Sequence, residues 1–251
     1  MLNDVIIGRY IKKDSLFHKR TPVLKIVIAL LLIISFLVTK NLIIIFLLGL
    51  LLLLMIKFSK LSLMIFVKSI KGIRWIIYFL IIFFIIVRAD AIESFVKIYQ
   101  LVFVLMVSVW LTLVTSPREL TYGIERILSF LKIFKIDVSA LAFTISLGLR
   151  FIPTILDSSS KILKSQASRG VDYNHGTLKE KFIIVKSILV PLFVISIRKS
   201  DELASAMTVK SYKVGAKRTY LNIDNWNITD TLFLIEYMIL FILICMGGYF
   251  L

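Results

Sequence analysis

The chain has 251 residues, 59% of them hydrophobic, and its 31 Lys and Arg against 15 Asp and Glu give a formal charge of +16. With 19 Phe and a mean hydropathy of +0.95, this composition excludes an ordinary water-soluble domain and points to the membrane class. The positive charge does not imply nucleic acid, because the cations alternate along the chain in step with its apolar runs.

Residues 1–22 are a polar segment, and residues 1–16 are too weakly apolar to serve as a cleavable signal. Thr21-Pro22 predicts a helix start, with Thr21 as the cap and Pro22 at the first helical position. A hydrocarbon core about 30 Å thick needs roughly 20 mostly apolar residues to cross it. Five runs approach that length: 23–39, 41–56, 72–87, 98–116 and 231–250. Between the second and third, residues 57–71 mix Leu61, Met64, Ile65 and Val67 with Lys60, Lys68 and Lys71, the pattern of an interfacial helix. Six cations precede the first run, Lys40 alone follows it, and five lie at 57–74. Only Arg88 and Lys97 occupy the next loop, and seventeen fall within 117–230. Cation-rich loops belong on the cytoplasmic side, so the N-terminus is expected inside and the C-terminus outside a cell membrane, with an attraction to anionic lipid.

Beyond residue 116 the character changes. Ser116-Pro117-Arg118-Glu119 is a strong helix start, with a capping serine, proline at the first position and an acid in the first turn. Residues 137–170 begin apolar and grow polar past Pro153; residues 182–210 repeat that order around Pro191. Proline inside a helix removes a backbone bond and favours a kink, so two bent helices are expected, joined by a loop over 171–179 with Asn174 and Gly176. The expected fold is an all-α integral membrane protein with about five transmembrane helices plus long bent amphipathic cytoplasmic helices. Its parts are 1–116, a polar segment with four spans; 117–230, a cytoplasmic helical module; and 231–251, a last span.

Catalytic signatures are missing from this sequence. It has no P-loop, no H-E-x-x-H and no paired cysteines, and Cys245 sits in the last apolar run as a packing residue. His18 and His175 are expected to be solvent-exposed, and Glu236, the one good acidic candidate inside a span, is expected to snorkel to the inner surface. No cofactor, metal or nucleic acid is therefore expected on this chain. Each of the two long segments ends instead in a compact cationic tip, Ser168-Arg169-Gly170 and Val209-Lys210-Ser211, whose cations are 41 residues apart. Ala167, Ser168 and Gly170 let a partner approach closely, and Arg169 offers a five-donor fork. At the second tip Ala204, Ser205 and Ala206 are the small residues and Lys210 the cation. On physics alone, these cations equally well complement their own helix dipoles and face water.

The same residues carry a resemblance. Gly8-Arg9-Tyr10, Asp14-Ser15, His18, Pro22 and Lys25 are followed by Thr115-Ser116-Pro117-Arg118-Glu119-Leu120 and Leu149-Arg150-Phe151-Ile152-Pro153. Then come Gln166-Ala167-Ser168-Arg169-Gly170, Pro191-Leu192, Asp201-Glu202-Leu203-Ala204 and Ala206-Met207. In this order the motifs resemble the transmembrane T component of energy-coupling factor (ECF) transporters, ABC-type importers of vitamins and metal ions. One departure stands at the second signature, where Lys210-Ser211-Tyr212 replaces arginine and glycine before the tyrosine. Lysine lacks the planar fork, and Ser211 enters a left-handed helix cap less easily than glycine.

The resemblance implies a non-catalytic subunit that couples two cytoplasmic ECF ATPases, which bind ATP and Mg, to a membrane-embedded substrate-binding S component. It assigns ATPase docking to Ala167, Ser168, Arg169, Gly170, Val209, Lys210 and Ser211. Arg150, Pro153, Gln166, Pro191, Asp201, Glu202, Ala206 and Tyr212 then support the coupling helices. Two other classes compete. A conventional ABC importer permease would need a polar path, for which Ser35, Ser108 and Thr112 are sparse, and a multispanning membrane enzyme would need a cluster that His18, His175 and Glu236 do not form.

Overall fold

The computed structural model describes residues 10–250 except 12, 40, 89, 135–136, 170–177 and 214–225. Gly8, Arg9, Gly170, Asn174, His175 and Gly176 lie outside the described residues, as does the side chain of Cys245. All the regular structure described is helical, in agreement with the all-α expectation. The chain forms two compact units, residues 7–127 with 220–251 and residues 1–6 with 128–219.

The first unit is built around α1 (Pro22–Val38). Pro22 opens the helix as expected, but Thr21 does not cap it: its side chain is packed inside, with no hydrogen-bond partner among the described residues. α2 (Leu42–Phe58) is capped by Asn41, whose Oδ1 accepts from the Ile43 amide at 2.9 Å. The interfacial helix begins later than residue 57. α2 runs on through Phe58 and is closed by Lys60 at φ 54°, so that α3 starts only at Leu63. α3 (Leu63–Gly72) and α4 (Arg74–Val87) then form a pair bent by 56°. α5 (Ala91–Val114), α6 (Pro117–Ile127) and α9 (Ile228–Phe250) complete the unit, and α5, α6 and α9 all pack on α1.

Large apolar side chains fill this core. Phe36 of α1 stacks on Phe103 of α5 at 3.8 Å, and Phe17 meets buried Trp110 edge-on. Two glycines set close approaches: a Cβ on Gly49 would fall on the Tyr99 hydroxyl, and one on Gly123 would press on Ile26 and the Pro22 backbone. α4, by contrast, buries none of its residues and exposes Trp75, Phe79, Ile82, Ile85 and Ile86. A helix apolar on all sides needs lipid or a partner around it.

By length and composition, α5 and a second helix, α7 (Val138–Ser168), are each able to cross a bilayer, and the bent α3–α4 pair counts as a third span if taken as one. α1 and α2 are shorter apolar helices of 17 residues each. The sequence places 138–168 among the cytoplasmic helices because it grows polar past Pro153, whereas the 31-residue helix as a whole is long and apolar enough to cross a bilayer.

The second unit opens with a 3-10 turn at Leu128–Phe134, followed by α7 and α8 (Leu178–Val209). Asp137 caps α7, its Oδ1 accepting from the Ala140 amide at 3.0 Å. The two long helices pack antiparallel. Tyr212, just past the end of α8, stacks at 5.1 Å on Phe143 near the start of α7. Midway, Gly148, Phe151 and Ser158 face Leu192, Ser196 and Ser200 across a groove of about 240 Å³.

Candidate functional site

Antiparallel packing puts the two cationic tips at opposite ends of the α7–α8 pair. Phe143 marks the second tip on α7, and Ser168 ends that helix 25 residues later. At about 1.5 Å per residue, roughly 35–40 Å separates them.

The first tip closes α7 at Arg169, whose amide donates to the Gln166 carbonyl at 3.0 Å. Ala167, Ser168 and Arg169 are exposed, and the Ser168 hydroxyl donates back to the Lys164 carbonyl at 3.1 Å. The second tip is a complete left-handed cap. The Ser211 amide donates to the Thr208 carbonyl and the Tyr212 amide to the Met207 carbonyl, each at 3.0 Å, with Ser211 at φ 54°. Serine thus takes the glycine conformation after all, at a cost of roughly 1–2 kcal/mol. The cap leaves Val209, Lys210 and Ser211 exposed. Among the described residues neither Arg169 nor Lys210 makes an ion pair.

The supporting residues fall in two groups. Arg150, Pro153, Asp201, Glu202 and Ala206 are exposed, whereas Gln166, Pro191 and Tyr212 are half-buried. Glu202 pairs with Lys199 at 2.7 Å on the surface. Pro153 and Pro191 lie inside continuous helices, and each denies a donor to the carbonyl four residues earlier. Exposed Phe182, Val185, Leu189, Phe193 and Ile197 give α8 an unpartnered apolar surface.

In the first unit, sequence reading named Lys25 and Glu119 as motif positions but missed that they, with Arg20 and Gln100, are polar anchors of the packing. Lys25 is 1% exposed; its ammonium donates to the carbonyls of His18 at 3.0 Å and Val114 at 3.3 Å, and lies 3.6 Å from Glu119. Glu119 and Ser116 form the expected reciprocal cap of α6, with both bonds at 3.3 Å. Arg20 pairs with buried Asp230 at 3.4 Å, bonds Thr229 and covers the Phe233 ring at 4.6 Å. Gln100 donates to the Phe36 and Thr39 carbonyls at 3.0 and 3.4 Å, closing the end of α1. Lys25 and Arg20 thus fasten α6 and α9 to the segment that leads into α1 and to α1 itself.

His18 is not the exposed histidine expected. Its Nε2 donates to the Ile11 carbonyl at 2.9 Å, and Nδ1 lies 2.6 Å from the Ser15 hydroxyl. Since a carbonyl only accepts, the neutral ring carries its proton on Nε2 and accepts from Ser15 at Nδ1. Burial lowers its pKa, helped by nearby Lys25 and Lys13, against the opposing pull of the Ile11 carbonyl and Glu119. Glu236 is exposed. Ser35, Ser108 and Thr112 each donate to the carbonyl four residues back, so their hydroxyls are spent within their own helices.

Residues 13–221 match the CbiQ family, described as cobalt transport protein. The chain is 31% identical to the energy-coupling factor transporter transmembrane protein EcfT of Bacillus subtilis (strain 168), over 96% of this chain and 97% of that protein. It is 31% identical to the protein of that name from Lactococcus lactis subsp. cremoris (97% and 97% covered). With the one from Streptococcus thermophilus the identity is 34%, over 95% and 97% of the two chains.

Proposed function

Because the chain belongs to the family of CbiQ cobalt transport proteins and EcfT energy-coupling factor transporter transmembrane proteins, we propose that it is the coupling subunit of an ECF-type importer. It is a multi-pass membrane protein with its N-terminus cytoplasmic and its C-terminus outside. It performs no catalysis and binds no cofactor; two cytoplasmic ATPase subunits bind ATP and Mg. One ATPase receives Ala167, Ser168, Arg169 and Gly170, and the other receives Val209, Lys210 and Ser211. ATP-driven motion of the ATPase pair moves the tips and changes the surface that holds a separate S component, the subunit that binds a vitamin or transition-metal ion.

One observation carries this reading: two exposed cationic helix ends stand roughly 35–40 Å apart on a single antiparallel pair. That spacing suits two separate sockets better than one. The back-bonded hydroxyls of Ser35, Ser108 and Thr112 count against a permease with its own polar path.

The test is co-purification with the ATPases after charge reversal. Arg169→Glu, and more so Arg169→Glu with Lys210→Glu, should leave the protein inserted but release the ATPases. Reversing one partner of a desolvated charge pair costs about 2–5 kcal/mol, enough to dissolve a modest interface. Full assembly of the double variant would refute the docking role.

A further inference from the structure

A pocket of about 400 Å³ opens at the charged end of α2, lined by Asp14, Ser15, Leu16, Lys19, Lys57, Phe58 and Lys60. Three lysines line it from two segments about forty residues apart in sequence, against the one carboxylate of Asp14. Among the described residues none of the three lysines forms an ion pair. The pocket carries an excess of cation, three lysines against the single carboxylate of Asp14.

Both of its walls are fixed from behind. Ser15 is 5% exposed and tied to His18, and Ser59 is fully buried, its hydroxyl accepting from Trp110 Nε1 at 2.9 Å. The Lys13 ammonium donates to the Lys60 carbonyl at 2.8 Å, joining the two walls. Lys60 itself sits at φ 54°, the residue after the α2 cap, where glycine fits without strain. That conformation closes α2, with the Lys60 amide donating to the Lys57 carbonyl at 3.0 Å and the Leu61 amide to the Ile56 carbonyl at 3.3 Å, and it fixes Lys60 in the pocket wall with Lys57 and Lys19.

The surroundings point to an amphipathic ligand. Leu16 and Phe58 at the pocket rim are 55% and 54% exposed. Phe58 continues an exposed apolar stripe on α2 through Leu54, Leu50 and Leu47. At about 1.5 Å per residue that stripe is roughly 16 Å long, close to half of a hydrocarbon core about 30 Å thick. Cations at its foot and one leaflet of aliphatic surface above match a phosphate-bearing headgroup with an acyl chain.

We propose that this pocket is a binding site for an anionic glycerophospholipid, with its phosphate among Lys19, Lys57 and Lys60 and an acyl chain along Leu47, Leu50, Leu54 and Phe58. The site does not depend on the docking role of the tips.

The test is native mass spectrometry of the full chain in delipidated detergent micelles, titrated with dioleoylphosphatidylglycerol or dioleoylphosphatidylcholine. Two triple variants are compared, Lys19→Gln/Lys57→Gln/Lys60→Gln and, as a charge-matched control on α3 and α4, Lys68→Gln/Lys71→Gln/Arg74→Gln. Retained tryptophan fluorescence in both variants establishes that the bundle is folded. Each lysine beside an anionic headgroup contributes roughly fivefold in affinity, so the pocket variant should bind phosphatidylglycerol at least about tenfold more weakly. The control should bind as the unsubstituted chain does. Equal losses in the two variants would reduce the effect to general surface attraction and overturn the site. So would equal binding of the two lipids, or displacement of phosphatidylglycerol by inorganic phosphate at similar concentration.

Discussion

Replacing Lys25 with methionine tests how the first unit is held together, because methionine keeps most of the volume and removes only the ammonium. In the native protein that group is 1% exposed and satisfies two carbonyls as well as the Glu119 carboxylate. Without it the His18 and Val114 carbonyls lose a charged donor, and each unsatisfied buried group costs about 1–3 kcal/mol. Breaking a fully buried ion pair costs about 3–5 kcal/mol. The Glu119 side chain is 29% exposed and keeps its bond from the Ser116 amide, so water recovers part of that loss. A net destabilisation of about 2–4 kcal/mol follows.

Equilibrium unfolding in mixed detergent and SDS micelles, followed by helical circular dichroism, measures the change. Lys199→Met is the internal control: its pair with Glu202 leaves the two side chains 44% and 65% exposed, and such surface pairs contribute about 0–1 kcal/mol. Adding Glu119→Gln to Lys25→Met should restore part of the loss, because no carboxylate is then left without its cation. If Lys25→Met were within about 0.5 kcal/mol of the unsubstituted chain, or no worse than Lys199→Met, the claim that Lys25 anchors α1 to α6 would be wrong.

Four further substitutions or conditions probe separate contacts. Ser59→Ala leaves the buried Trp110 indole N–H without its acceptor and should cost about 1–3 kcal/mol in the same unfolding assay. Gly123→Val drives a branched side chain into the Pro22 backbone, 3.3 Å from the added Cβ, and should lose about 1–3 kcal/mol or more and expose the α1–α6 seam to proteolysis. The lowered His18 pKa means that the unfolded chain binds the extra proton more readily, so this residue's contribution is complete above the ordinary histidine pKa and is lost as pH falls through and below it. His18→Gln should therefore flatten the stability profile between about pH 7 and 5. Ser211→Gly relieves the left-handed strain at φ 54° and should raise the melting temperature of the α7–α8 unit by the equivalent of about 0.5–1 kcal/mol.

What the sequence made legible here was local. The α6 cap joins Ser116 to Glu119, three residues apart. The tips are local too, since a small-residue run, a cation and a helix end all fall within a few positions of Arg169 and of Lys210. The anchors of the first unit are the opposite case. Gln100 reaches the Phe36 carbonyl across 64 residues, Lys25 reaches Val114 across 89, and Arg20 reaches Asp230 across 210. No periodicity or spacing rule links such positions. They meet only because α5, α6 and α9 all pack on α1. Lys25 therefore counted as one more cation in a basic segment, and His18 as one more exposed histidine, until packing brought them together.

Ser211 shows how a local rule can be sound and still mislead about outcome. Glycine is the residue that enters a left-handed cap freely, so a serine there argues against such a cap. The opposing energies decide otherwise. Left-handed serine costs roughly 1–2 kcal/mol. Against it stand two cap bonds of 3.0 Å and the stacking of Tyr212 on Phe143, which needs the chain to turn sharply after Lys210. An aromatic pair of that kind is worth about 0.5–1.5 kcal/mol beyond its buried area, and each bond about another 0.5–1.5 kcal/mol. The sum exceeds the strain, so the cap closes with serine in it and Lys210 is presented at a rigid helix end. What separates the two tips is then the cation itself: Arg169 can grip a carboxylate with two parallel bonds, and Lys210 acts as a point charge. With the tips docking as proposed, Lys210→Arg should raise the fraction of ATPase retained on co-purification more than Ser211→Gly does.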